Sequence, residues 1–249
     1  MNKPEILIAD IETLPALGAF FDLKHDLSPH NVIEPSSLAC ASWQVLGDSK
    51  IRTVCVSHKD IRNDIAAVQD TAEAFSKADV IIGHYFRGFD ARYVAGRVLV
   101  HDLPPIKPAS IVDTYYIAIK HFHLYSYRLS ELAKILNVPH KKIKTEFELW
   151  KRCLRGEKAA FEEMKRYNRG DIRVERDVFK RLVPYSCAAM PRQDGFRCRH
   201  CYSRKLNKNS AFKFTTLKAF AWYQCDECGG WSHGRQDELK SKQQLTGAR

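Results

Sequence analysis

At 249 residues, 45% of them hydrophobic and 11% aromatic, the chain can enclose one full-sized core and a small second one, which excludes a globally disordered protein. Lys plus Arg number 40 against 29 acids, a formal charge of +11 that favours a polyanionic partner. No apolar run reaches the roughly 18–20 residues that span a bilayer, and the N-terminus has no secretory apolar segment; the expectation is a cytoplasmic protein with no membrane partner.

In chain order, "EILIAD" (5–10) predicts a strand, and "SSLACASWQVLG" and "KIRTVCVSH" predict a hairpin about Gly47–Lys50. Ile61, Ile65, Val68, Ala72 and Phe75 recur at helical spacing, with Asp60 placed as the N-cap. "DVIIG" predicts a short buried strand, "DARYVAGRVLVHDL" a helix, and "IVD" a strand after the Pro-rich break. "RLSELAKILNV" predicts a helix. The basic loop "PHKKIK" leads into further helices over 145–185, interrupted at Gly156 and stopped by Pro184. Strands first, then alternating β and α elements, predict an α/β fold with a mixed sheet flanked by helices over 1–185. A small cysteine-paired domain follows over 192–236, then a flexible basic tail over 237–249. Residues 186–249 hold 12 basic residues against 5 acids, so this part carries +7 of the charge and reads as a nucleic-acid-binding module.

Four acids stand at places that chemistry can use. Asp10 and Glu12 alternate along the first strand and share a face. Asp90 closes "IIGHYFRGFD" at the mouth of a helix, and Asp171 follows Tyr167 by one helical turn. Each alone carries little, since an isolated Asp at a helix start is more often a cap than a catalyst. The ordered set D-x-E, F-D, Y-x-x-x-D resembles the DEDD superfamily of 3′–5′ exonucleases, in its tyrosine subtype. That superfamily has the ribonuclease H-like fold also used by proofreading domains of DNA polymerases, and the resemblance covers about residues 5–183.

The resemblance implies two divalent ions, Mg²⁺ or Mn²⁺, held by Asp10, Glu12, Asp90 and Asp171. Converging carboxylates raise one another's pKa values unless cations neutralise them. Tyr167, a phenol with an ordinary pKa near 10, is placed as an orienter of the attacking water rather than as its base. The resemblance also places Thr13, Leu14 and Phe89 against the substrate. Tyr85 stands near the position where the family often has Asn; it either stacks on a base or packs. Asp113 either lines the cleft or caps a helix.

Cys198-x-x-Cys201, 23 intervening residues, and Cys225-x-x-Cys228 make a strong signal for a structural Zn²⁺ in a zinc ribbon. His200 and His233 are spare ligands, each expected to be exposed. The aromatics Phe214 and Trp222 are expected inward, with the surrounding Lys and Arg turned toward nucleic acid. Cys40, Cys55, Cys153 and Cys187 are expected to be thiols.

The leading reading is a metal-dependent 3′–5′ exonuclease that releases nucleoside 5′-monophosphates from single-stranded or frayed ends, DNA favoured over RNA, with replication or repair proteins as partners. The alternative is a catalytically inactive nucleic-acid-binding module recruited to such a complex. A transposase-like strand transferase fits the D-x-E and Y-x-x-x-D motifs poorly.

Overall fold

The first strand, β1 (Ile6–Leu14), opens with the unbroken apolar run Ile6–Ala9 because both of its faces are buried there. Leu7, Ala9 and Ile11 enter the main core cluster, while Ile6 and Ile8 are buried on the opposite face, the one that Asp10 and Glu12 continue. The computed structural model describes residues 4–19, 28–185, 196–201, 203–215 and 218–234. They fall into two compact units, Pro4–Phe179 and the chain from Lys180 onward.

In the first unit β2 (Leu17–Gly18) pairs with β3 (Val32–Glu34) in a small antiparallel ribbon. The predicted hairpin forms from β4 (Ser37–Val45) and β5 (Ile51–Cys55). Its register sets Cys40 opposite Cys55, and the two are joined as a disulfide. That pairing corrects the expectation of thiols there; cross-strand register is invisible in spacing alone.

The helix α1 (Ile65–Lys77) starts after Asp64 rather than after Asp60. Asp60 instead closes a short turn onto Ser57. Asp64 makes no cap either: its buried carboxylate accepts from Leu38 N (2.7 Å), Arg97 Nε (2.9 Å) and Arg97 Nη2 (2.7 Å), and meets His101 Nε2 at 2.6 Å. Burial opposes this charge, but the bonds from Arg97, Leu38 and His101 outweigh it and hold the carboxyl below its ordinary value.

Next come β6 (Val80–Gly83), α2 (Asp90–Val100) and β7 (Ser110–Asp113). A helix absent from the expectation, α3 (Thr114–His121), follows directly, with the Asp113 side chain as its N-cap, accepting from Tyr115 N at 3.1 Å. The same carboxylate accepts from Tyr85 N (2.9 Å) and Arg87 N (3.0 Å), which settles Asp113 as a structural clamp. Then α4 (Leu129–Ile135), α5 (Glu148–Leu154) and α6 (Lys158–Leu182) complete the unit's helices. The break at Gly156 is as predicted: its φ is +73°, and a Cβ there would lie 2.7 Å from the His58 carbonyl oxygen.

The sheet order is β5-β4-β1-β6-β7, with β4 antiparallel and β6 parallel to β1. Pairing with β6 covers only Ile6–Ile8, so β1 runs on past the end of its parallel neighbour. A crevice at such a point, outside the carboxyl ends of parallel strands, is where α/β sheets place their sites.

The second unit contains β8 (Leu206–Phe214), β9 (Ala219–Cys225) and β10 (Trp231–His233), antiparallel in the order β10-β9-β8. The predicted boundary at 185–192 and the tail 237–249 fall largely or wholly outside the described residues.

Candidate active site

Three segments far apart in sequence build the site. The free end of β1 carries Asp10 and Glu12, the long helix α6 carries Tyr167 and Asp171 one turn apart, and α2 begins with Asp90. One carboxylate oxygen from each of Asp10, Glu12 and Asp171 lies within 4.8 Å of the others. Asp90 stands outside that group. Its Oδ1 accepts from Ile11 N at 3.0 Å, a β1 amide beyond the reach of β6, so the side chain ties α2 to the exposed end of the strand. Asn168 Nδ2 donates to Asp10 Oδ2 at 2.5 Å and fixes that carboxylate.

The charges are crowded. Burial, then Asp171, Asp90 and Glu12, push Asp10 well above the ordinary carboxylate range. Burial drives Glu12 up to about 8 against the opposing pull of Lys142, and drives Asp90 up to about 7 against the hydrogen bond from Ile11. Asp171 is raised as well, by burial. Its second oxygen, Oδ1, is buried with no hydrogen-bond partner among the described residues. An all-oxygen donor set with one orphaned oxygen fits a hard divalent cation such as Mg²⁺ or Mn²⁺, and does not fit zinc's preference for nitrogen and sulfur.

Lys142 is the residue that sequence reasoning left in a basic loop. Its Nζ donates to Asp171 Oδ2 at 2.6 Å and sits 5.0 Å from the centre of the Tyr167 ring. Burial opposes its charge, yet Asp171, Tyr167 and Asp10 together push its pKa up, so the ammonium is retained. Nothing in the spacing of "HKKIK" separates this lysine from its neighbours. Tyr167 is almost fully buried against Trp150, and burial followed by Asp171 pushes its hydroxyl up to about 12. It stays protonated at neutral pH, so its hydroxyl keeps a proton to donate.

Behind the acids lies a second feature the sequence did not signal. His84 Nε2 faces the Tyr127 carbonyl at 2.9 Å and therefore carries the ring proton, so Nδ1 accepts from Thr114 Oγ1, also at 2.9 Å. Thr114 Oγ1 is 2.8 Å from Glu175 Oε1, and burial raises Glu175 to about 8.

Of the expected substrate contacts, Tyr85 and Phe89 are each 44% exposed, and Thr13 is half-buried with its carbonyl accepting from Trp150 Nε1. Leu14 is different. Beyond a register shift between Glu12 and Thr13 it is fully buried in the same core cluster as Ile11. A cavity of ≈ 880 Å³ lined by Lys134, Lys141, Lys144, Arg152 and Tyr167 shares Lys142 and Ser130 with a second one of ≈ 410 Å³.

In the second unit Cys198, Cys201, Cys225 and Cys228 bring their sulfurs within 4.8 Å of one another, with Sγ–Sγ distances of 3.7 Å (198–228) and 3.6 Å (201–225). A tetrahedral Zn²⁺ with bonds of about 2.3 Å needs sulfurs about 3.8 Å apart, so the set fits. His200 is not exposed as expected; it is buried with Nε2 on the Trp231 carbonyl at 3.0 Å, because the knuckle folds over it. His233 is half-buried beside Lys213. Trp222 is half-buried at the edges of Trp231 and His233, while the Phe214 side chain lies outside the described residues.

With the geometry in place, the comparisons give the class. Residues 19–183 match the family model of the RNase_H superfamily, and the chain belongs to that superfamily. The match begins beyond Asp10 and Glu12, so those two acids rest on geometry and motif alone. Among solved structures, the family B DNA polymerase from the hyperthermophilic archaeon Pyrobaculum calidifontis is similar in fold. Its TM-score is 0.53 and its identity 17%, over 74% of this chain and 25% of the polymerase. This chain thus spans a quarter of that polymerase's length. No curated protein sequence matches the chain.

Proposed function

We propose that the protein is a metal-dependent 3′–5′ exonuclease of the tyrosine DEDD subtype, releasing nucleoside 5′-monophosphates from single-stranded or frayed ends, with DNA favoured over RNA. The observation that carries this reading is the meeting of Asp10 and Glu12 from β1 with Asp171 from α6, on a chain of the RNase_H superfamily. Similarity in fold to a DNA polymerase agrees with a nucleic-acid substrate. The domain division is taken as 1–185 for the nuclease and 192–236 for the zinc ribbon.

Asp10, Glu12 and Asp171 would hold divalent cations, with Asp90 in support. Such ions supply Lewis-acid activation of water and neutralise charge at the departing 3′ oxygen. The chain's own groups do the rest. Asn168 and Ile11 N fix the orientation of Asp10 and Asp90. Tyr167, protonated, orients the attacking water by hydrogen bond. Lys142 keeps a positive charge beside Asp171, where it offsets the acids and can meet a phosphate oxygen.

The test uses 5′-labelled single-stranded DNA and RNA with Mg²⁺, Mn²⁺ or EDTA, beside Asp10→Ala. A metal-dependent ladder shortening from the 3′ end, absent in the variant, is the expected result. Intact substrate in both metals, with retained binding, would make the protein a nucleic-acid-binding module instead.

A further inference from the structure

The smaller cavity has a wall that the carboxylate chemistry does not use. It is lined by His84, Tyr85, Tyr115, Arg128, Leu129, Ser130 and the same Lys142 that bonds Asp171. Tyr85, one of these lining residues, has a φ of 58°, a left-handed conformation that strains a bulky side chain. The surroundings enforce it. Asp113 clamps the amides of Tyr85 and Arg87, and the Tyr85 carbonyl accepts from Gly88 N and Phe89 N, both at 3.0 Å. The ring then lies directly on Gly88, where a Cβ would come within 2.5 Å of its Cζ. Tyr85 meets Tyr115 edge-on at 5.0 Å and Tyr116 at a tilt of 33° and 6.1 Å.

A ring held against strain for packing would be enclosed. Tyr85 and Tyr116 are instead 44% and 45% exposed. Burial lowers the His84 pKa to about 4, and both of its nitrogens are engaged, so the imidazole is a neutral, fixed wall rather than a proton carrier.

We propose that Tyr85, Tyr115 and Tyr116 form a stacking ledge for an unpaired nucleobase next to the scissile end, with Arg128 and Lys142 facing its phosphates. The cavity that Tyr85 and Tyr115 line, ≈ 410 Å³, is in the range that encloses one nucleotide-sized ligand, and Tyr116 extends the aromatic surface beyond it. The charge complementarity is local: two cations flank the aromatic faces, and one of them reaches the carboxylates, so a strand lying on the ledge is led to the acids. Stacking on aromatic faces tolerates every base, and a base inside a duplex has both faces covered, so the ledge selects single strands without reading sequence. The inference rests on the nucleic-acid part of the exonuclease reading.

The test separates binding from cleavage. In EDTA, the affinity of the full-length protein for a fluorescent single-stranded oligonucleotide is measured while one abasic spacer is walked from the 3′ end. A spacer at one or two positions near that end is expected to weaken binding roughly 5- to 150-fold, and other positions little. Tyr85→Gly relieves the backbone and deletes the ring; it should lose the same factor, and the position dependence with it, while Tm is unchanged or higher. Tyr85→Phe should retain both. A flat profile in a protein that binds, or full affinity in Tyr85→Gly, overturns the ledge. A peaked profile without any metal-dependent ladder overturns the exonuclease reading and leaves the ledge standing, and absence of binding overturns both.

Discussion

The two clusters of metal-ligand type among the described residues are built in opposite ways. The carboxylates come from residues 10 to 171 and are seated by a five-stranded sheet and its helices, whose core would exist without them. The cysteines come from two tight knuckles, and among the described residues two of the four, Cys198 and Cys225, are themselves among the few buried side chains of their unit. The carboxylates are crowded and raised in pKa, so the fold supports them at a cost in stability. The comparison teaches that a cation at the first cluster would supply chemistry to a finished fold, whereas a cation at the second would supply much of the fold itself.

The sharpest way to break this contrast is to remove one ligand from each. Asp171→Ala and Asp10→Ala should each lower nuclease activity by about 10³-fold or more, with the circular dichroism spectrum kept and no fall in Tm for Asp10→Ala, whose carboxylate is held at a cost. Cys225→Ser, or a strong chelator, should abolish amide-exchange protection in β8–β10 while protection in β1 and β4 persists. Loss of both regions together would show that the units are not independent.

Smaller effects sharpen the account of the first cluster. Lys142→Met should reduce kcat by roughly 10²-fold, the scale for losing one electrostatic donor at a site of charge development. Tyr167→Phe should cost only roughly tenfold, since it removes one orienting hydrogen bond and no base. Equal losses in Tyr167→Phe and Asp171→Ala would refute that division of labour.

The smallest effect is in stability. Without cation, Glu12 and Asp90 bind protons more tightly in the folded chain than in the unfolded one, with folded values of about 8 and about 7. Their contribution is therefore most favourable below about pH 4 and is lost as pH rises through 7 to 8. Mg²⁺ or Mn²⁺ should raise Tm more at pH 8 than at pH 5, and a concentration of about 100 times Kd corresponds to ~2.7 kcal/mol. A gain independent of pH, or one retained in Glu12→Gln, would place the ion elsewhere.

Sequence patterning made much of this legible. Alternation put Asp10 and Glu12 on one face, helical spacing put Tyr167 and Asp171 on another, and two C-x-x-C pairs named their own chemistry. These patterns are local, so a period of two or 3.6 residues reveals them. The helix α3 was missed because Asp113 ends a strand and caps a helix at once, leaving no loop between them to mark the change.

By itself the sequence determined the α/β class, the order of the acids and the tetrad of sulfurs, because each is written in neighbouring residues. Only the tertiary structure decided the rest. It buried Leu14 behind a register shift, paired Cys40 with Cys55, moved the start of α1 from Asp60 to Asp64 and made Asp64 an ion-pair centre, and brought Lys142 across 29 residues to Asp171. Each of those outcomes depends on which surfaces the core brings together, and burial and charge act through space rather than along the chain.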